Sequence, residues 1–469
     1  MTAEERARIL FGFEPPRLSE LSAVPKAKVA SAAVPESAED FDDPEDVDLE
    51  EEEALSEQDL ELWRVDPTVL LGASKSAQHG LLGKDGRGLG VALDLAGCNT
   101  ISLFGVQGFG KSYSLGVIAE MALQHIGGIN KLPKPLATVM FHYNKSDAYE
   151  PELLSACFAN EREAEIDVLL HEYGARATGL GDVVLICPEA KVDERREQYP
   201  GLLVEPIKFS SQELKGTGWK FLLGAYGNDA LYMRQVSAIL RRMRDDLTLD
   251  LLKEEIENTE LSDPIRKLIE DRIRLAEPYI DDTRRLGDLL APGRLILVDL
   301  RDAWVERDEA LELFVVMMQI FADAKRSEAG DGQREDDFNR LIIFDEAHKY
   351  ISEGAIIAHV VEAIREMRHH ATSVIVASQD PLSVPRVVVE LSTVLMLHRI
   401  TSPAWIKHLK GAISALEPLD VRTVSGLVPG EALVWAQRSN DKRFSLEPQK
   451  ILVRPRVTQH GGATKMATG

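Results

Sequence analysis

Long apolar runs are missing from this 469-residue chain. No stretch of about 18 apolar residues occurs, so no transmembrane helix is expected. Cysteine is scarce: Cys98, Cys157 and Cys187 stand apart, without metal-ligand spacing. Three ordinary buried thiols in a reducing cytosol are expected, and a disulfide scaffold is excluded. The opening residues, Met1-Thr-Ala-Glu-Glu-Arg, lack the basic and apolar regions of a signal peptide, which again points to the cytoplasm. The histidines His359, His369, His370, His398 and His408 form no compact metal spacing, so no zinc site is assigned. No internal repeat is evident, and no pairing of a nucleophile with a histidine stands out. Basic charge is short as well, with a net charge of −23. Fifteen acids and no base lie between Glu36 and Glu61, and the rest of the chain carries only −8. A run of that kind reads as a disordered tail or a polar collar. A remainder near −8 excludes a general nucleic-acid binder, so any such contact must be local.

What is present is concentrated in short motifs. Gly105-Val-Gln-Gly108-Phe-Gly110-Lys111-Ser112 fits G-x-x-x-x-G-K-[ST] without a mismatch. The apolar Ile101–Phe104 reads as a strand before it, and Tyr113–Leu123 as a helix after it. That context turns a glycine pattern into a phosphate site. Gly105, Gly108 and Gly110 let backbone N–H groups close around the β- and γ-phosphates, and the helix N-terminus adds positive potential. Lys111 would reach the same phosphates, and Ser112 would ligate Mg²⁺. ATP and Mg²⁺ are the expected cofactors.

Residues 1–62 read as a disordered acidic tail, and 63–100 as a small β-rich lead-in. Strands and helices alternate from 101 onward, with strands expected at Leu136–Tyr143, Asp182–Cys187, Leu202–Phe209 and Arg294–Asp299. Residues 211–290 are helical and highly charged, with Arg234, Arg241, Arg242 and Arg244 at helical spacing. The expected division is a RecA-like core at 101–150 and 290–440, a mixed then helical insertion at 151–289, and a closing segment at 441–469.

Leu341-Ile-Ile-Phe344-Asp345-Glu346 is an apolar strand ending in two acids, the Walker B arrangement. Asp345 would hold Mg²⁺ and Glu346 would polarise the attacking water. Asp345-Glu-Ala-His348 invites a DEAH-box helicase reading. Against it, 234 residues separate Lys111 from Asp345 and only 123 follow Glu346, too few for a second motor domain. His348 reads either as a packed histidine or as a gate on the nucleotide state.

The next segments are Ala363-Ile-Arg365-Glu-Met-Arg368-His-His, then Ser373-Val-Ile-Val-Ala-Ser378-Gln379-Asp-Pro381, a short helix at Val384–Glu390, and the strand Val394–Arg399. This order resembles the HerA/FtsK superfamily of ring-forming DNA pumps, and the HerA branch most closely. Gly293–Asp299 resembles its strand ending in Ile-Asp-Leu. Arg454-Pro-Arg456 and His460-Gly-Gly462 resemble its closing segment. The likeness covers about 97–150 and 290–462. It implies an α/β fold: a RecA-like additional-strand P-loop ATPase core with a helical insertion and a disordered acidic N-terminal tail. It implies that Gln379 senses the γ-phosphate and that Arg368, or else Arg365, acts in trans as an arginine finger, with Arg399 a weaker candidate. It implies a homo-oligomer, expected to be a hexamer, with DNA as partner, and a co-encoded nuclease or other protein supplying any cutting. Three features depart from the pattern. The family's β-barrel is not evident before residue 97, His369 stands where Lys is usual, and the second strand ends His142-Tyr-Asn-Lys145-Ser-Asp147 where an acid pair is frequent. Asp147 is a weak stand-in.

Two functions follow from these readings. One is an ATP-driven DNA translocase or accessory motor, with Lys208, Lys215 and Lys220 as candidate pore contacts. The other is a nucleotide-driven switch or scaffold that regulates a partner enzyme without moving DNA. A monomeric ATPase is a third reading.

Overall fold

The computed structural model describes residues 69–224, 231–243, 247–324, 338–351 and 357–461, of Leu231 and Arg368 the backbone alone. The acidic run 36–61, Arg244, most of the polar loop 327–339 and Gly462 onward lie outside the described residues.

The strands are β1 (Val69–Leu71), β2 (His79–Asp85), β3 (Gly90–Asp94), β4 (Thr100–Phe104), β5 (Asn130–Lys131), β6 (Ala137–Asn144), β7 (Val183–Cys187), β8 (Leu203–Pro206), β9 (Leu295–Arg301), β10 (Arg340–Phe344), β11 (Thr372–Ser378), β12 (Val394–Leu397), β13 (Glu431–Ala436) and β14 (Gln449–Val453). They form one sheet in the order β1-β3-β2-β14-β13-β12-β4-β11-β10-β6-β9-β7-β8, with β5 paired to β2. From β12 to β8 every pairing is parallel. Both faces of these strands, the edge strand β8 excepted, are buried, so they read as nearly continuous apolar runs. β11 lies between the phosphate-loop strand β4 and the acid-tipped β10, which is the additional-strand order of a RecA-like α/β core.

The helices used below are α1 (Lys111–Leu123), α2 (Glu163–Tyr173), α3 (Val192–Gln198), α4 (Gly216–Leu222), α5 (Leu231–Met243), α6 (Leu249–Asn258), α7 (Asp263–Ala276), α8 (Arg307–Asp323) and α9 (Ile357–Met367). Alternate strand residues feed two cores. Phe141, Ile342, Phe344, Val374 and Val376 face α4 to α9 on one side. Leu103, Met140, Leu341, Ile343 and Ile375 face α1 and α2 on the other. The helices of the 211–290 segment therefore lie on the same face as α8 and α9. Within the expected 151–289 insertion, β7 and β8 extend the central sheet beside β9. The lead-in strands β2 and β3 join the same sheet through β14, from the opposite end of the chain.

The closing segment clamps α1. Buried Glu120 accepts from Arg454 (2.6 Å), from the amides of Val457 and Thr458, and from the Thr458 hydroxyl. Arg456 lies so close to α1 that a Cβ on Gly116 would come within 2.3 Å of its guanidinium. These bonds satisfy a buried carboxylate and fix the helix whose first turn carries Lys111 and Ser112.

The expectation about cysteine changes. Cys98 and Cys157 are only partly buried, and Cys187 alone is fully inside. Lys208 pairs with Glu189 and Lys215 with Asp323, exposed ion pairs of the ordinary surface kind. Among the described residues, no helix is long and apolar enough to cross a membrane.

Candidate functional site

β4 ends at Phe104, and the glycine loop 105–110 turns the chain into α1. Gly108 and Gly110 have φ of 80° and 98°, which an L-residue adopts only with strain. A Cβ at Gly105 would lie 2.6 Å from the Cβ of His398, so this position is closed by packing. Ser112 occupies the second residue of α1, in its first turn.

Four residues singled out in the sequence converge where β4, β10 and β11 end. The Lys111 ammonium donates to Glu346 Oε1 at 3.0 Å and lies 3.9 Å from Asp345 Oδ1. Gln379 Nε2 donates to the same Glu346 oxygen at 2.6 Å. Glu346 sits in the left-handed region, with φ 48°, and it and Ala371 are the two non-glycine residues with positive φ among those described. Such a conformation costs about 1–3 kcal/mol and persists only where its surroundings enforce it. Here the strain turns the carboxylate back toward Lys111.

The electrostatics of the cluster couple one buried ammonium to two carboxylates. Burial disfavours the Lys111 ammonium, but Asp345 and Glu346 outweigh it and raise its pKa above the usual value. Burial would raise the Asp345 carboxyl, yet a hydrogen bond from His142 and the charge of Lys111 hold it below the ordinary range. Asp345 Oδ1 and Glu346 Oε2 are buried without a hydrogen-bond donor. Carboxylate oxygens that accept no hydrogen bond, beside a phosphate loop, suit Mg²⁺ and its water shell, which bind through few protein ligands. Asp345 and Ser112 are the residues that would hold it. Among the described residues, no group of three His, Cys, Asp or Glu side chains gathers to hold a metal unaided.

The remaining candidates fall into place around this cluster. His348 Nδ1 is 3.2 Å from Glu346 Oε2, and burial lowers its pKa. Arg399 stacks on Phe109 of its own phosphate loop, 4.7 Å from the ring centre. Asp147 is bonded to Arg195 and Lys191, not to the Walker acids. Arg368 is not brought to the cluster. It opens a short turn, Arg368–His370, at the start of β11, and its neighbour Arg365 on α9 is exposed. Arg340 is level with Thr372 across β10 and β11, so Glu346 lies a whole strand away, roughly 17 Å along the sheet. The turn that carries Arg368 thus lies at the sheet end opposite Glu346.

Two histidines escaped the motif reading. His142, at the end of β6, contacts Asp345 at 3.3 Å. His398, at the end of β12, lies fully buried beneath the phosphate loop, where Nδ1–H donates to the Glu431 carbonyl at 3.1 Å. A signal for both was available: each follows a buried strand whose neighbours carry the phosphate loop or the acids.

Burial, with a smaller contribution from Lys111, pushes the His398 imidazole down to about 4. Its unfolded value is 6.5. As pH falls, the unfolded chain therefore binds this proton first, and stability present above pH 6.5 is lost between there and about 4. The loss approaches about 3 kcal/mol for this group. Urea unfolding between pH 7 and 4.5 is expected to show it as a steeper acid decline in the parent than in His398→Asn. Parallel declines would contradict the assignment.

No protein-family model matches the chain, and no curated protein matches it. Solved structures do. VirB4 of Thermoanaerobacter pseudethanolicus aligns at 14% identity over 82% of this chain and 96% of its own, with a TM-score of 0.48. The bacterial conjugative coupling protein TrwB aligns at 11% identity over 77% of this chain and 85% of its own, TM-score 0.45. The genome-packaging NTPase B204 of Sulfolobus turreted icosahedral virus 2, in complex with AMPPCP, aligns at 9% identity over 76% and 97%, TM-score 0.31. At these scores nothing about activity follows from them.

Proposed function

We propose that this chain is an Mg²⁺-dependent ATPase of HerA-like type. It works as a cytoplasmic ring, expected to be a hexamer, and acts as a DNA translocase or accessory motor in a prokaryotic DNA-processing or anti-phage system. One observation carries the reading: Lys111, Asp345, Glu346 and Gln379 meet within 4 Å contacts beside a glycine loop, and Asp345 Oδ1 and Glu346 Oε2 accept no hydrogen bond although Lys111 and His348 lie near them.

The residues divide the work as follows. The loop amides and Lys111 bind the β- and γ-phosphates of ATP, and Mg²⁺ between Ser112 and Asp345 would neutralise phosphate charge. When Lys111 turns to a phosphate, Glu346 Oε1 loses that donor and can accept the proton of the attacking water. Gln379 then reports the γ-phosphate to β11. Arg368 completes a neighbour's site, since its own lies a strand length away. Each subunit thus needs the next, which is the physical argument for a closed ring.

Lys208 and Lys215 stand in ordinary surface ion pairs that distinguish no pore contact, so a second reading stands beside the first: a nucleotide-driven switch that regulates a partner enzyme without moving DNA. Phosphate release measured with and without duplex DNA over rising salt separates the two. The motor is expected to be stimulated by DNA, and the stimulation to weaken steeply as salt rises. Hydrolysis indifferent to DNA, or awakened only by a co-encoded protein, would replace the motor with the switch.

A further inference from the structure

We propose that His142 is a positioning residue for the metal-holding carboxylate of Asp345, and that it uses the backbone of the 145–150 loop as its anchor. The inference rests on the ATPase reading above and names a residue outside the phosphate-loop, acid and glutamine motifs.

His142 is 2% exposed and stands in β6, directly beside the acid-tipped β10. Its two ring nitrogens face different elements. Both neighbours are acceptors, so the ring makes both contacts as a double donor: Nε2–H donates to the carbonyl of Tyr149 at 2.9 Å and Nδ1–H to Asp345 Oδ2 at 3.3 Å. The ring therefore spans from a backbone oxygen of the loop to one oxygen of the carboxylate. The other oxygen, Oδ1, has no hydrogen-bond donor and faces Lys111 at 3.9 Å. Fixing Oδ2 orients Oδ1 toward the phosphate side of the site, where a cation would need it.

The anchor itself is held. Arg195 donates to Asp147 Oδ1 at 2.6 Å, and Arg301 donates to the Asp147 carbonyl at 3.0 Å. Both guanidiniums are buried and share Asp299, the residue level with His142 on the neighbouring strand β9. A loop held at Asp147 supports the Tyr149 carbonyl two residues on, and the imidazole carries that support to Asp345. Outer partners of this kind set the orientation of a metal-ligating group.

The test uses the full-length protein and a fluorescent non-hydrolysable ATP analogue. Its binding is titrated with and without Mg²⁺ for the parent, His142→Ala, His142→Gln and Tyr149→Ala. Hydrogen exchange of residues 145–150 is followed in the nucleotide-free protein. His142→Ala is expected to bind the analogue normally without Mg²⁺. Its Mg²⁺ requirement should rise about tenfold, and its 145–150 amides should exchange faster. Tyr149→Ala keeps the carbonyl and should keep the parent's Mg²⁺ requirement. A merely structural role for His142 would weaken binding equally in both conditions. That result, or a folded His142→Ala with the parent's Mg²⁺ dependence, overturns the proposal. Should His142→Ala fail to fold, His142→Gln decides on the same reading. A parent whose nucleotide binding ignores Mg²⁺ overturns the ATPase reading, and this inference with it.

Discussion

Replacing Glu346 with Gln is expected to stop ATP hydrolysis while nucleotide stays bound. The side chain keeps its size and can still hydrogen bond to Gln379, but it can no longer take a proton from water. Loss of a positioned general base costs about 10²–10⁴-fold in rate. Binding should hold or tighten, because a buried carboxylate 3.0 Å from Lys111 no longer competes with phosphate for the ammonium. Single-turnover hydrolysis beside an analogue titration separates the two effects. Lys111→Ala serves as the contrast, expected to lose binding and hydrolysis together. Turnover by Glu346→Gln at the parent rate would remove this residue from the chemistry.

Arg368→Ala is expected to lower the rate by about 10³–10⁵-fold without weakening nucleotide binding, as removal of an arginine finger does. The sharper form of the experiment mixes two inactive proteins. Arg368→Ala subunits keep an intact phosphate loop and acids, and Glu346→Gln subunits keep an intact arginine. If the arginine acts across an interface, the mixture regains hydrolysis that neither protein shows alone. The topology motivates the experiment: Arg368 opens the short turn that leads into β11, at the sheet end opposite Glu346. A mixture as inactive as its parts would mean that the arginine does not serve a neighbour. Arg365→Ala, one helical turn earlier and exposed, tests the other candidate in the same assay.

The parts of this molecule legible in sequence are those written in consecutive residues. The glycine loop, the apolar strand ending in Asp345-Glu346, and the strand ending in Ser378-Gln379 each declare a strand end by composition. Parallel strands bring such ends to one edge, so the convergence of Lys111, Asp345, Glu346 and Gln379 was within reach of the motifs. Long-range register was not. β14 pairs with β2 across most of the chain, and nothing local to Gln449–Val453 specifies that partner. β7 and β8 read as part of an insertion because a helical block follows them, yet hydrogen bonding to β9 is decided by topology. His142 appeared only as a departure from an acidic pattern. Its contact with Asp345 spans 203 residues and exists because β6 and β10 are neighbours. His398 was set aside among histidines without metal spacing, although β12 beside β4 places it directly under Gly105 and Gly110. The buried pair of Glu120 with Arg454 was hidden for the same reason: a charge inside a helix reads as a solvated face until a distant segment covers it.

The measurement that tests the central claim most directly is phosphate release from ATP by the purified full-length protein, followed over a range of protein concentrations with Mg²⁺ present or chelated. A composite site shared between subunits predicts Mg²⁺-dependent release whose rate per subunit rises with protein concentration and vanishes in Lys111→Ala. Release that persists in Lys111→Ala, or a rate per subunit that ignores concentration down to the monomeric range, would contradict it.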